Sequence, residues 1–143
     1  METGMVKCYL TTDAGTIFIQ EFFGEGELFG EIELMDDCSS YCTIEAISAV
    51  SVYKIQKKDF LQLLDRDQKF NRLFIESLIL KLKYKATRHS YNQSHTIEDN
   101  LKRLKMKCPE LESVIAKQEI ADYLGITLRA LNRTLKTMSE EKL

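Results

Sequence analysis

The sequence has no apolar run approaching the roughly 18 residues that a membrane span needs, and no charged-then-apolar leader opens it. Both absences point to a cytoplasmic protein that does not engage a membrane. Histidine is scarce: only His89 and His95 occur, far along the chain from Cys8, Cys38 and Cys42. Cys38 and Cys42 are spaced C-x₃-C, which is not a standard zinc-knuckle spacing. No Ser–His–Asp set, metal-spaced His/Glu pair or phosphate loop followed by Lys is present. Catalysis is therefore not expected, nor a resident metal or cofactor. In a cytosolic chain the four cysteines, Cys108 being the last, default to reduced thiols. If any pair responds to oxidation, Cys38 and Cys42 are the expected one, because they flank the polar Ser39-Ser40-Tyr41 loop.

What is present describes an ordinary globular protein: 143 residues, 44% hydrophobic and 29% charged. That length is enough for one domain or two small ones. The net charge of −2 hides an asymmetry. Residues 1–79 carry 7 Lys/Arg against 14 Asp/Glu, and residues 80–143 carry 13 against 8. An acidic front and a basic back suggest that only the back half meets a polyanion.

Within that basic half, Val114 to Lys136 reads VIAKQEIADYLGITLRALNRTLK. Ile120, Ala121 and Leu124 define the apolar face of one short helix, and Leu128, Leu131 and Leu135 that of a second. Between them, Gly125 supplies the left-handed turn and Thr127 a good N-cap. Two short helices joined this way form a helix-turn-helix, whose second helix can enter a DNA major groove. The polar residues of that helix suit the role. Thr127 can reach a phosphate, and Arg129 and Asn132 can form paired hydrogen bonds with base edges. Arg133 can reach base or backbone. The bland alternative is a helical hairpin with a solvated charged face.

Residues 1–56 read as strands. Val6–Thr11 and Thr16–Gln20 are β-branched and aromatic runs about an Asp13-Ala14-Gly15 turn. Phe22 to Glu27 reads as a Gly-punctuated turn, and Leu28–Met35 as a segment too short for a long helix. Thr43–Ile47 and Ala49–Ile55 close the set, with alternation clearest at Val50, Val52 and Ile55. Strands so closely spaced predict a small antiparallel roll or barrel. From Lys58 the period changes: a short helix runs to Leu64, and a long one from about Gln68 to about Asn92. Phe70, Phe74 and Leu78 form one apolar row of the long helix, Ile75, Ile79 and Leu82 another, and Leu73, Leu80 and Tyr84 a third. Apolar surface round most of a circumference implies burial on more than one side. A second copy of the helix is a natural cover, giving a dimer seam over Phe74 to Tyr84 that includes Leu78, Leu80 and Leu82. His89–Thr96 reads as a polar hinge, Ile97–Lys107 as a basic helix, and Cys108-Pro109-Glu110 as its break.

This order resembles that of the Crp/Fnr family of bacterial transcription regulators. The carrying stretches are Gly24-Glu25-Gly26-Glu27-Leu28-Phe29-Gly30-Glu31 leading into Ile32-Glu33-Leu34, then Val50–Phe60, then Lys117–Leu135; Phe29–Leu34 is most similar to YeiL-type members. The resemblance implies an α+β fold: an antiparallel, cyclic-nucleotide-binding-like β-roll over residues 1–67, a long dimerisation helix and hinge over 68–96, and a C-terminal helix-turn-helix over 97–143. It further implies a homodimer on double-stranded DNA, contacting it through Thr127, Leu128, Arg129, Asn132, Arg133 and Lys136, with RNA polymerase a further possible partner.

The effector pocket implied by the resemblance comprises Gly30, Glu31, Ile32, Tyr41 and Cys42, and it departs from the nucleotide-binding pattern. Gly30-Glu31 match the pair that opens the phosphate-binding cassette, with the Glu on the ribose hydroxyl. The cassette Arg, however, falls on Tyr41 and the following Ser on Cys42. The purine-contacting positions fall near Lys85 and Ala86. A buried phosphate without its guanidinium is costly to accommodate, so tight cyclic AMP binding is not expected. Control by another small-molecule or redox effector is expected instead. No cysteine cluster for an iron–sulfur centre precedes the roll. Against the family pattern, the first roll strands are missing before Met1 and the wing is absent after Leu143. The alternative is accordingly a truncated sensor or interaction protein that dimerises without gripping DNA specifically.

Overall fold

The computed structural model describes residues 1–109 and 111–140, with the side chains of 111 and 112 set aside. Glu110, read as part of the break after Lys107, and residues 141–143 lie outside the described residues. The chain divides into two compact units, one formed by 1–52 with 96–143 and the other by 53–95.

The first unit is built on a three-stranded antiparallel sheet of order β2-β1-β3, with β1 Val6–Thr11, β2 Ile17–Phe23 and β3 Thr43–Ala46. The β1–β2 turn follows the sequence expectation. Gly15 takes φ 79° and donates its N–H to the Thr12 carbonyl at 2.8 Å, a left-handed step that costs glycine nothing. Strand β2 runs through Phe22 and Phe23, which the glycines just beyond them had assigned to a turn. A bulge explains the side chains' placement. Cys8 pairs with Glu21 but Tyr9 with Ile19, leaving Gln20 as the extra residue. The extra residue changes the phase of the alternation. Ile19 and Phe22 thus share one core, while Phe23 joins Val6 and Cys8 in another.

Helix α1, Glu31–Asp36, follows Gly30 at φ 84°. The segment Ala49–Ile55, expected as a strand, is not one. Among the described residues it makes a single bridge, Ser51 to Thr3, and Val50, Val52 and Ile55 are exposed. Alternation prepares one face for burial, but beyond the Ser51 bridge no strand among the described residues pairs with the backbone here.

Four further helices complete this unit: α4 Ile97–Lys107, α5 Leu111–Val114, α6 Lys117–Leu124 and α7 Leu128–Glu140. Helix α4 starts in a reciprocal cap, in which the Thr96 hydroxyl accepts from Asp99 N–H at 3.2 Å and the Asp99 carboxylate accepts from Thr96 N–H at 3.2 Å. It ends at Lys107, where the sequence placed the break. Ile19 and Phe22 of the sheet share one buried core with Leu101, Leu104, Ile115, Ile120, Ala121, Tyr123 and Leu131. The sheet and the helices flanking Gly125 thus belong to one packed body, although the boundaries at 67 and 96 set them in separate segments.

The second unit contains α2 Lys57–Arg66 and α3 Gln68–Ser94. Asp67 caps α3 by accepting from the Lys69 and Phe70 N–H groups at 2.9 and 3.0 Å. Phe60 of α2 packs edge-on against Phe70 and Phe74 of α3, at 5.4 and 5.2 Å between centroids. Helix α3 continues to Ser94, two residues past the expected Asn92. Of the segment expected as a hinge, His89–Thr96, only His95 and Thr96 lie between helices, and the His95 ring stacks on Tyr91 at 3.8 Å.

Candidate nucleic-acid interface

Helix α6 ends at Gly125, whose φ of 67° and ψ of 34° are left-handed. The Ala121 carbonyl accepts from both Gly125 and Ile126, the latter at 3.0 Å. Three residues separate the helices, and Thr127 caps α7 by accepting from Ala130 N–H at 3.2 Å. The local chemistry read at Gly125 and Thr127 is what makes the turn.

Leu131 is fully buried, with Leu135 and Met138 packed on the same core. Arg129, Asn132, Arg133 and Lys136 recur at i, i+3, i+4 and i+7 and are exposed, so they share the opposite face. Leu128, at 36% exposure, borders that face, and Thr127 stands exposed at its start. Among the described residues, neither Arg129 nor Arg133 is tied to a carboxylate, while Lys136 reaches Glu140 at only 3.8 Å. All six residues expected at the interface are thus brought together on one solvent-facing surface. This surface can offer two guanidiniums, an amide, an ammonium and a helix N-terminus to a polyanion.

Ion pairs that sequence reasoning missed fix α6 and α4 to the sheet. Lys7 of β1 lies 2.6 Å from Glu119 of α6 and 3.3 Å from Glu45 of β3. Burial acts to lower the Lys7 pKa, but the hydrogen bonds and charges of Glu119 and Glu45 outweigh it and hold the group above its usual range. Lys107, at the end of α4, lies 2.6 Å from the buried Glu21 of β2. Beside them, Phe22 packs on Tyr123 with the ring planes tilted by 32° and the centroids 5.1 Å apart. These partners are 86 and 112 residues apart along the chain, so no local pattern could announce them.

The residues expected to line an effector pocket have mixed fates. Glu31 is buried at 5% exposure, whereas Ile32 is 43% and Tyr41 49% exposed; Gly30 is exposed and Cys42 half-buried. Burial first, then the neighbouring Cys42 and Cys8 thiols and the Glu33 and Glu31 carboxylates, raise the Tyr41 pKa. Of these neighbours, the Glu33 and Glu31 carboxylates carry the sign that repels phosphate. Cys42 is not paired with Cys38: its Sγ lies 2.9 Å from that of Cys8. The pair expected because it flanks the Ser39-Ser40-Tyr41 loop is thus not the one in sulfur contact: Cys42, just ahead of β3, meets Cys8 of β1. Cys38 is exposed, and its thiol is raised by desolvation and then by Asp36 and Glu33.

The residues expected at a dimer seam differ among themselves in exposure. Phe74 is buried against Phe60 of its own chain and is not available to a second copy. Leu78 and Tyr84 are half-buried. Leu80 and Leu82 are 67% and 69% exposed, but their two-residue spacing puts them on different faces. The continuous exposed stripe is Ile75, Ile79 and Leu82, spaced i, i+4, i+7.

Comparison with known proteins agrees with this architecture. Residues 1–67 match the cyclic nucleotide-binding domain family. The probable transcriptional regulator flp of Lacticaseibacillus casei is 26% identical over 146 residues, covering 98% of this chain and 67% of that protein. The structure of FixK2 from Bradyrhizobium japonicum superposes with a TM-score of 0.80 at 21% identity, over 98% of this chain and 73% of that one. A CRP-family transcriptional regulator from Thermus thermophilus gives 0.76 at 17% identity, over 99% and 74%. The domain match, the sheet-and-helix fold and the sequence relative agree: residues 1–67 match the cyclic nucleotide-binding domain, and the chain as a whole is similar to transcription regulators of the Crp/Fnr type.

Proposed function

We propose that this chain is a non-catalytic, cytoplasmic regulator that binds a palindromic promoter site as a dimer and answers to an effector other than cyclic AMP. The observation that carries the reading is the α7 face. Arg129, Asn132, Arg133 and Lys136 stand exposed together, opposite the buried Leu131, at the start of a helix capped by Thr127. Arg and Asn are the residues whose paired donors and acceptors match guanine and adenine edges. Dimerisation is supported by the Ile75–Ile79–Leu82 stripe, since burying each such side chain contributes roughly 1.5–3 kcal/mol. A dimer that reads a palindrome through such helices meets half-sites about 34–36 Å apart.

Exclusion of cyclic AMP rests on Tyr41. Its phenol stands where the resemblance puts a guanidinium, with acidic Glu31 and Glu33 as neighbours. A phosphate there meets charge of its own sign. The reading is tested by titrating the protein into DNA from its own promoter and into random duplex. A preference for the promoter sequence that halving the half-site spacing destroys supports it; equal affinity for both DNAs supports the interaction-protein alternative.

A further inference from the structure

Cys8 and Cys42 meet on one side of the sheet. Cys8 is buried in β1 beside Val6 and Phe23, and Cys42 packs against that cluster with Phe29 and Ile44. The β1–β3 register pairs Cys8 with Ile44 and Tyr9 with Thr43. Cys42 therefore lies two positions along from the residue opposite Cys8, on the same face. Their sulfurs are 2.9 Å apart as thiols, against about 2.05 Å in a disulfide. The Ser40 hydroxyl donates to the Cys42 carbonyl at 2.7 Å and reaches Glu33 at 3.1 Å, holding the Cys42 backbone in place. We propose that Cys8 and Cys42 are a dithiol–disulfide site whose closure loosens the helix-turn-helix from the sheet.

The chemistry needs a hydroperoxide as two-electron oxidant. Cys42, the more accessible thiol, attacks it as thiolate: an S–O bond forms, the O–O bond breaks, and hydroxide leaves and takes up a proton. The resulting sulfenic acid is then attacked by Cys8. The S–S bond forms, the S–O bond breaks, and the departing hydroxide takes the Cys8 proton as water. Two thiols and one hydrogen peroxide thus give one disulfide and two waters. Burial of Cys8 keeps it from reacting with oxidant itself, which suits a resolving thiol.

The link to the helices follows from strand geometry. Side chains alternate along β1, so Lys7 points to the face opposite Cys8, where it holds Glu119 at 2.6 Å. Diagonal neighbours across an antiparallel pair stand roughly 7–8 Å apart, wider than the roughly 4.4–6.8 Å between the Cα atoms of a disulfide. Closing the bond draws Cys42 and β1 together, and a shift of β1 carries the Lys7 ammonium with it.

The test treats the full chain with hydrogen peroxide, alkylates remaining thiols, and maps cross-linked peptides by mass spectrometry. Hydrogen exchange of the α6 amides is followed in the same samples. The expected result is an intramolecular Cys8–Cys42 link that Cys42→Ser abolishes and Cys38→Ser leaves intact. The α6 amides should exchange about tenfold faster in the linked protein, as loss of one charge-assisted hydrogen bond allows, and thiol reductant should restore the slow rate. A link through Cys38, no intramolecular link, or a Cys8–Cys42 link with unchanged α6 exchange would each overturn the proposal. Because neither readout uses DNA, a protein that proves not to bind DNA still decides it.

Discussion

Lys7 and Glu119 tie a sheet strand to the first helix of the helix-turn-helix, and Glu119 does so with one oxygen while the other caps that helix. Oε1 accepts from the Lys7 ammonium at 2.6 Å, and Oε2 accepts from Ala116 N–H at 3.1 Å. A single carboxylate thereby fixes both the start of α6 and its place on β1.

This contact predicts an alkaline transition. Lys7 has a folded-state pKa above its usual value of 10.5, so its ion pairs contribute fully at pH below that value. The contribution is lost as pH rises through the folded-state pKa. Lys7→Met should cost about 1–3 kcal/mol at neutral pH and flatten the fall in stability on the alkaline side. Chemical denaturation across the neutral-to-alkaline range of wild type and variant checks both.

Lys107 and Glu21 form a second bridge, with the Glu21 side chain only 7% exposed. Removing the ammonium strands a carboxylate in the core. Lys107→Met is expected to destabilise by about 3–5 kcal/mol, with much of the loss recovered when Glu21 is also replaced by Gln. Urea denaturation of the two single variants and the double variant measures the coupling.

The exposed stripe on α3 carries the oligomer prediction. Ile79→Glu places a charge midway between Ile75 and Leu82, where a second copy would have to bury it. It should shift the protein from dimer to monomer while leaving the α2–α3 packing at Phe60 and Phe74 unchanged. Analytical ultracentrifugation reads the first effect and thermal unfolding the second. Phe74→Ala should do the reverse, costing about 3–5 kcal/mol of stability through a cavity.

Arg129 carries the specificity prediction. Arg129→Ala should lose about 1–3 kcal/mol on the promoter site and far less on random DNA, if its guanidinium reads a base. Lys136→Ala should weaken both alike and reduce the salt slope by about one. Competition titrations at several salt concentrations separate the two patterns.

Much of this was legible in the sequence because it is local. The β1–β2 hairpin announced itself by β-branched and aromatic runs about Asp13-Ala14-Gly15, and the end of α4 by Pro109. The turn between α6 and α7 was written in Gly125 and Thr127. What stayed hidden depends on distant partners. Ala49–Ile55 alternates like a strand, yet only Ser51 finds a bridge among the described residues. Phe22 faces Tyr123 because of a bulge at Gln20 that no residue type marks. The pairing of β1 with β3 brings Cys42 to Cys8 rather than to its near neighbour Cys38. Likewise, α3 displayed apolar residues all round, but only packing on Phe60 decided that Phe74 turns inward and Ile79 outward.

The most direct test is a titration of fluorescent promoter DNA with the protein at two salt concentrations, with and without cyclic AMP. Sequence-specific binding that weakens with salt and is unchanged by cyclic AMP is the predicted result. Tight binding that appears only with cyclic AMP, or none that distinguishes the promoter from random DNA, would contradict it.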